Sequence, residues 1–137
     1  SFGVFDEAGN RDLVRAAFAT LKPGGVFLIE NHCIETILFR IRRDSWQQLG
    51  ENLLRLEEQE FDHRTSRLIS RWRFIHLPDG AVESAEMSMR IYTYRELSDL
   101  LTSAGFEQIE GYDTGTGRPF SLGASRLTII GRKSGGA

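Results

Sequence analysis

The stretch that most constrains this sequence is Leu21-Lys22-Pro23-Gly24-Gly25 followed by Val26-Phe27-Leu28-Ile29-Glu30. Upstream of it, Leu13, Val14, Ala17, Phe18 and Leu21 recur at helical spacing, with Asn10 or Asp6 placed to cap the start. Lys22-Pro23-Gly24-Gly25 then stops the helix and turns the chain, because proline cannot continue it and glycine accepts the backbone angles of a tight turn. The run that follows is continuously apolar until Glu30, which predicts a strand buried on both faces, as in a parallel sheet. Helix, tight turn and buried strand are the repeating step of an open α/β fold. With 137 residues the chain is long enough to build one hydrophobic core around such a step.

The period changes downstream. After Asn31-His32-Cys33, the residues Ile34, Ile37, Leu38 and Ile41 predict a helix within the stretch 34–52. From Leu53 to Ile91 the pattern alternates with period two: Leu68, Ser70, Trp72 and Phe74 fall on one strand face, and Arg67, Ile69, Arg71 and Arg73 on the other. Pro78-Asp79-Gly80 is a strong turn signal and Asp62-His63-Arg64-Thr65-Ser66 a weaker one. Three antiparallel strands in a meander are the simplest reading of 53–92. Thr93-Tyr94-Arg95-Glu96 is a capping box opening a helix with Leu97, Leu100, Leu101 and Ala104 inward, which Gly105 ends. Two further strands, Phe106 to Tyr112 and Arg126 to Arg132, flank the glycine-containing loop Thr114-Gly115-Thr116-Gly117-Arg118-Pro119. With no helix between them, these two strands must be antiparallel if they are neighbours.

Composition excludes several classes. The formal net charge of -2 gives no reason to expect nucleic acid or an anionic membrane as partner. No apolar run reaches the roughly 20 residues needed to span a bilayer. One cysteine, Cys33, cannot form an internal disulfide, and three histidines (His32, His63, His76) argue against a structural zinc cluster. These points make a cytoplasmic setting the default and predict no metal.

Taken together, four segments resemble the class I S-adenosylmethionine-dependent methyltransferases. Leu21-Lys22-Pro23-Gly24-Gly25 with its apolar run resembles the turn before their fifth strand. Ser1-Phe2-Gly3-Val4-Phe5-Asp6 resembles the segment after their fourth strand. Arg90 to Leu97 with Ala104-Gly105-Phe106 resembles the helix leading to their sixth strand, and the last two strands resemble their closing antiparallel hairpin. The resemblance implies an α/β fold: the C-terminal part of a Rossmann-like methyltransferase sheet, plus an inserted antiparallel β-meander. It implies one partial domain over 1–133, with the insertion at 53–92 and a frayed tail at 134–137. In that family the cofactor is held mainly by a glycine-rich loop after the first strand and an acidic residue after the second. Neither has a counterpart here, and Gly115-Thr116-Gly117 opens no helix, so it cannot take that role. The opening at Ser1, in mid-motif and without an initiator methionine, adds the expectation of a chain cut from a larger protein.

The resemblance places Ser1, Phe2 and Gly3 beside the methyl donor, S-adenosylmethionine; the alternative is that Phe2 and Phe5 pack in the core. In open α/β sheets the site lies beyond the carboxyl ends of the strands. Methyl transfer requires an oriented acceptor and often removal of its proton. His32, at such a strand end and with an ordinary pKa near 6.5, is the candidate general base, or else a residue bonded to nearby backbone. Asn31 is a candidate for positioning the acceptor. Arg90 and Tyr92, two apart, would share a strand face and bind an acidic acceptor, or tie the meander to the sheet. Trp46 could stack on a substrate ring, while Trp72 fits a packed face better. His63 reads as a solvated turn residue, and Arg40, Arg42 and Arg43 as a solvated helix face.

The expected activity is methylation of an oxygen or nitrogen on a small-molecule acceptor by the intact parent, with this chain inactive alone. The expected partner is the N-terminal half or a second copy, joined through an exposed sheet edge. A non-catalytic ligand-binding or dimerisation module is the alternative.

Overall fold

The computed structural model describes residues 2–135. The chain divides into two units, Ser1–Phe39 with Ile91–Ala137, and Arg40–Arg90.

The first unit begins with a turn at Phe2–Gly3 that leads into helix α1, Glu7–Thr20. Asp6 caps the helix, its carboxylate accepting from the Gly9 amide at 2.7 Å. At the other end the Lys133 ammonium donates to the carbonyls of Phe18 and Leu21 at 2.8 and 2.9 Å, satisfying acceptors that the last turn leaves without partners. Gly24, at φ 82°, makes the turn into strand β1, Val26–Asn31. A short helix α2, Ile34–Ile37, follows. After the second unit the chain returns through helix α3, Tyr94–Ala104, and strands β6, Glu107–Asp113, and β7, Leu127–Arg132. The expected capping box is present: the Thr93 hydroxyl accepts from the Glu96 amide and the Glu96 carboxylate from the Thr93 amide, both at 3.0 Å. Gly105 ends α3 at φ 112°.

The sheet order is β1-β7-β6, antiparallel throughout, with Ile29 opposite Ile129. The predicted strand and the predicted closing hairpin are thus neighbours in one sheet. On one face, Ile29, Leu127 and Ile129 pack with Val14 of α1 and with Leu97 and Leu101 of α3. The Phe106 ring lies between those of Phe18 (5.1 Å, edge-on) and Phe27 (5.5 Å, stacked). The expectation that β1 is buried on both faces is corrected. Ile29 and Asn31 are buried, whereas Val26 and Leu28 are exposed at 42% and 53%. Only the α1/α3 side of the strand has a helical layer among the described residues, and no described strand pairs its second edge.

The second unit is a four-stranded antiparallel meander: β2, Asp44–Leu49; β3, Leu53–Asp62; β4, Arg67–His76; and β5, Val82–Arg90, in that spatial order. The two predicted turns join β3 to β4 and β4 to β5. The helix predicted within 34–52 is corrected: only Ile34–Ile37 is helical, and Asp44–Leu49 forms a strand. Gly50, at φ 72°, reverses the chain so that Leu49 faces Leu53 and Trp46 faces Leu56. Backbone pairing to β3 outweighs the weak local helical pattern. Arg71 bridges Glu60 and Glu86 across the sheet at 3.4 and 3.2 Å; all three are largely exposed, so these pairs add little stability.

Candidate functional site

The polar residues of the first unit converge where β1 ends. Asn31, the last residue of β1, is buried, and its side-chain amide donates to the Phe2 carbonyl at 2.7 Å. Asn10, in the first turns of α1, is fully buried. Its amide nitrogen donates to the Phe5 carbonyl at 3.0 Å and to the Tyr92 hydroxyl at 3.1 Å, and its Oδ1 accepts from the Phe5 amide at 3.3 Å. The Phe2 and Tyr92 rings lie 5.6 Å apart, both buried. The turn that leads into α1 is therefore held at both ends by asparagine amides, with Gly3 between them at φ 107°, an angle that side chains disfavour. Phe2 packs in the core while Phe5 is half exposed.

His32 follows directly. It is half-buried, with Nδ1 3.4 Å from the Thr36 hydroxyl. The Thr36 hydroxyl in turn donates to the Cys33 carbonyl and accepts from the Cys33 amide, both at 3.0 Å, which fixes the turn carrying the imidazole. Cys33 is fully buried, and its thiol is pushed up to about 11, first by burial and then by the Glu35 carboxylate beside it. Glu35 also accepts from the Tyr94 amide at 3.1 Å, and the Ile34 amide donates to the Tyr92 carbonyl at 2.9 Å, so the start of α3 is tied to α2.

Of the predicted site residues, Phe2, Gly3, Asn31, His32 and Tyr92 come together in the first unit; Ser1 lies outside the described residues. Arg90 and Trp46 belong to the second unit. The expectation that Arg90 and Tyr92 share a strand face is corrected: ladder pairing ends at Arg90, opposite Arg67, and Tyr92 lies beyond the strand. Trp46 is 71% exposed on the edge strand β2, in one cross-strand row with Leu56, Arg73 and Ser84. The last three also line a concavity of about 330 Å³ on β3 to β5, together with Glu58, Arg71 and Glu86. Asn10 and Cys33 have no signal as site residues in the sequence. Asn10 reads as a helix cap, a role that Asp6 fills.

The likeness to known structures follows this geometry. Neither a protein-family model nor a curated protein sequence matches the chain. Solved structures do. The CcbJ methyltransferase of Streptomyces caelestis superposes with a TM-score of 0.81 at 18% identity, over 97% of this chain and 53% of its own. An S-adenosylmethionine-dependent methyltransferase of Clostridium acetobutylicum gives 0.76 at 18% identity, over 96% and 53%. The S-adenosylmethionine-bound amino pentose methyltransferase CalS10 of Micromonospora echinaspora gives 0.66 at 21% identity, over 93% and 51%. This chain has the fold of half a methyltransferase. It spans about half the length of each of these structures, consistent with their C-terminal half.

The turn around Gly3 offers backbone without bulk beside the carboxyl end of β1. The Thr114–Pro119 loop instead joins β6 to β7. There the Asp113 carboxylate accepts from the Gly115 amide at 3.0 Å and from the Ser125 hydroxyl at 3.2 Å, an internally satisfied turn.

Proposed function

We propose that this chain is the acceptor-side half of an S-adenosylmethionine-dependent methyltransferase that methylates an oxygen or nitrogen atom of a small molecule. The half-length structural match to methyltransferases carries the reading. The edge of β1 that no described strand pairs supports it, because that is where a parallel sheet would continue. The amino pentose methyltransferase among the matching structures favours a small-molecule acceptor.

When bound, S-adenosylmethionine supplies an electrophilic methyl carbon on a sulfonium. His32 takes the proton that the acceptor atom loses as it is methylated, with Thr36 steadying its half-buried ring. Asn31 holds the donor-side turn through the Phe2 carbonyl. In the second unit, Trp46 offers an exposed ring face for stacking. The cytosol is the proposed compartment, with Cys33 a buried free thiol. Among the described residues no helix is long and apolar enough to cross a membrane.

Calorimetric titration with S-adenosylmethionine tests the proposal. The 137-residue chain alone is expected to show no binding and no methyl transfer, and the full-length gene product to bind. A full-length protein that does not bind would sink the assignment. A second reading, self-association of this half through β1, is favoured by its unpaired edge among the described residues and by the exposure of Leu28 on its outer face. Light scattering that finds a monomer at high concentration argues against it.

A further inference from the structure

Among the described residues of the first unit, the Asn10 side chain at the start of α1 is fully buried, and its hydrogen bonds converge on one object. Two go to the backbone of Phe5 and one to the phenol of Tyr92, whose ring packs on Phe2. An amide in a helix interior is a poor choice for packing alone, since its burial demands partners. Here every partner belongs to the Phe2–Phe5 turn or to the residue that supports it. We propose that Asn10 and Tyr92 are positioning residues that hold this turn in the shape that receives the methyl donor. This rests on the reading of the chain as part of a methyltransferase.

The geometry explains why two residues are needed. Asn31 fixes the Phe2 carbonyl from the β1 side, and Asn10 fixes Phe5 from the α1 side. Gly3 and Val4 lie between, and no side chain among the described residues clamps them. Because Gly3 is at φ 107°, this short span has wide conformational freedom unless both ends are held. Preorganising it removes an ordering cost that donor binding would otherwise carry. Tyr92 supplies the phenol that orients the Asn10 amide, and its ring forms the floor under Phe2.

The test uses the full-length gene product, with S-adenosylmethionine as the calorimetric probe. Asn10→Ala and Tyr92→Phe are each expected to weaken donor binding, by about tenfold and about threefold, with the binding stoichiometry unchanged. The double variant is expected to be no weaker than Asn10→Ala alone, because the two share one bond. Gly105→Ala is the control. It strains α3 near Phe18, about 16 Å along α1 from the Glu7 end that follows the turn, and is expected to lower stability without changing donor affinity.

A purely structural role would reduce the fraction of competent protein, moving the stoichiometry and leaving the dissociation constant as in the wild type. That result overturns the inference. Wild-type protein that fails to bind the donor overturns the functional reading beneath it. Hydrogen exchange on the 137-residue chain gives an independent check: the Phe5 amide is expected to exchange at least tenfold faster in Asn10→Ala than in the wild type, and equal rates would also overturn the proposal.

Discussion

Replacing Gly105 by alanine puts a number on how tightly helices α1 and α3 are locked together. Gly105 stands at φ 112° and ψ 0°, beyond the left-handed region that even asparagine tolerates well. The backbone penalty for an L-residue there is about 1–2 kcal/mol. A methyl at this position would also lie 2.7, 3.0 and 3.1 Å from three carbons of the Phe18 ring. That ring has little room to yield, being edge-on to Phe106 at 5.1 Å with the Lys133 ammonium 4.6 Å above it. Overpacking of this kind adds about 1–3 kcal/mol. The sum, about 2–5 kcal/mol, is a large fraction of a small domain's stability. Urea unfolding followed by circular dichroism should show the midpoint falling on the order of 2 M at unchanged slope. Adding Phe18→Leu should recover about 1 kcal/mol of the loss relative to additivity, because the smaller side chain vacates the contact. A midpoint shift below about 0.3 M for Gly105→Ala would refute the reasoning from backbone angle and contact together. Strict additivity with Phe18→Leu would refute the contact alone.

Other perturbations have equally definite outcomes. The Cys33 thiol, held near 11, should resist alkylation by iodoacetamide at pH 8 in the folded chain and react readily in urea. Because its folded pKa lies above the ordinary value of 9.0, the unfolded state loses the thiol proton first. Its contribution to stability is therefore whole below pH 9 and is lost as the pH rises toward 11. The loss is about 2–3 kcal/mol, and Cys33→Ala should remove that part of the alkaline decline in a pH series of urea melts. Thr93→Ala removes the hydroxyl that caps α3 and should lower stability by about 1 kcal/mol in thermal melts, with Thr93→Ser close to wild type. Leu28→Lys, on the exposed face of β1, should reduce self-association in light scattering while changing stability by less than about 0.5 kcal/mol.

What could be read from the sequence divides along the range of the forces involved. The capping box at Thr93 and Glu96, the stop at Gly105 and the turn at Pro23-Gly24 are all decided within a few residues. Each appears in the structure where its pattern places it. The run from Val26 to Ile29 announces a strand, but not how many of its faces are covered, because that depends on layers far away in sequence. Strand β2 was hidden for the opposite reason. Asp44–Leu49 has little strand character of its own and is extended because Leu53–Glu58 offers it a ladder.

The site shows the same division, at the level of single atoms. Sequence position alone brings Asn31, His32 and Phe2 to the carboxyl end of a strand, since topology puts that end beside the turn before α1. It does not say what each polar atom does there. An asparagine at a strand end reads equally well as a substrate contact or as a prop for the chain, and only the 2.7 Å bond to the Phe2 carbonyl separates the two. Tyr92 reads as a donor to an acidic ligand, yet its hydroxyl meets the Asn10 amide. Asn10 could not be found from its neighbours in sequence, because the partner that gives it a role lies 82 residues away. The place where chemistry can occur follows from the order of helices and strands. The division of labour among its polar groups follows from hydrogen bonds that close only when that order has folded.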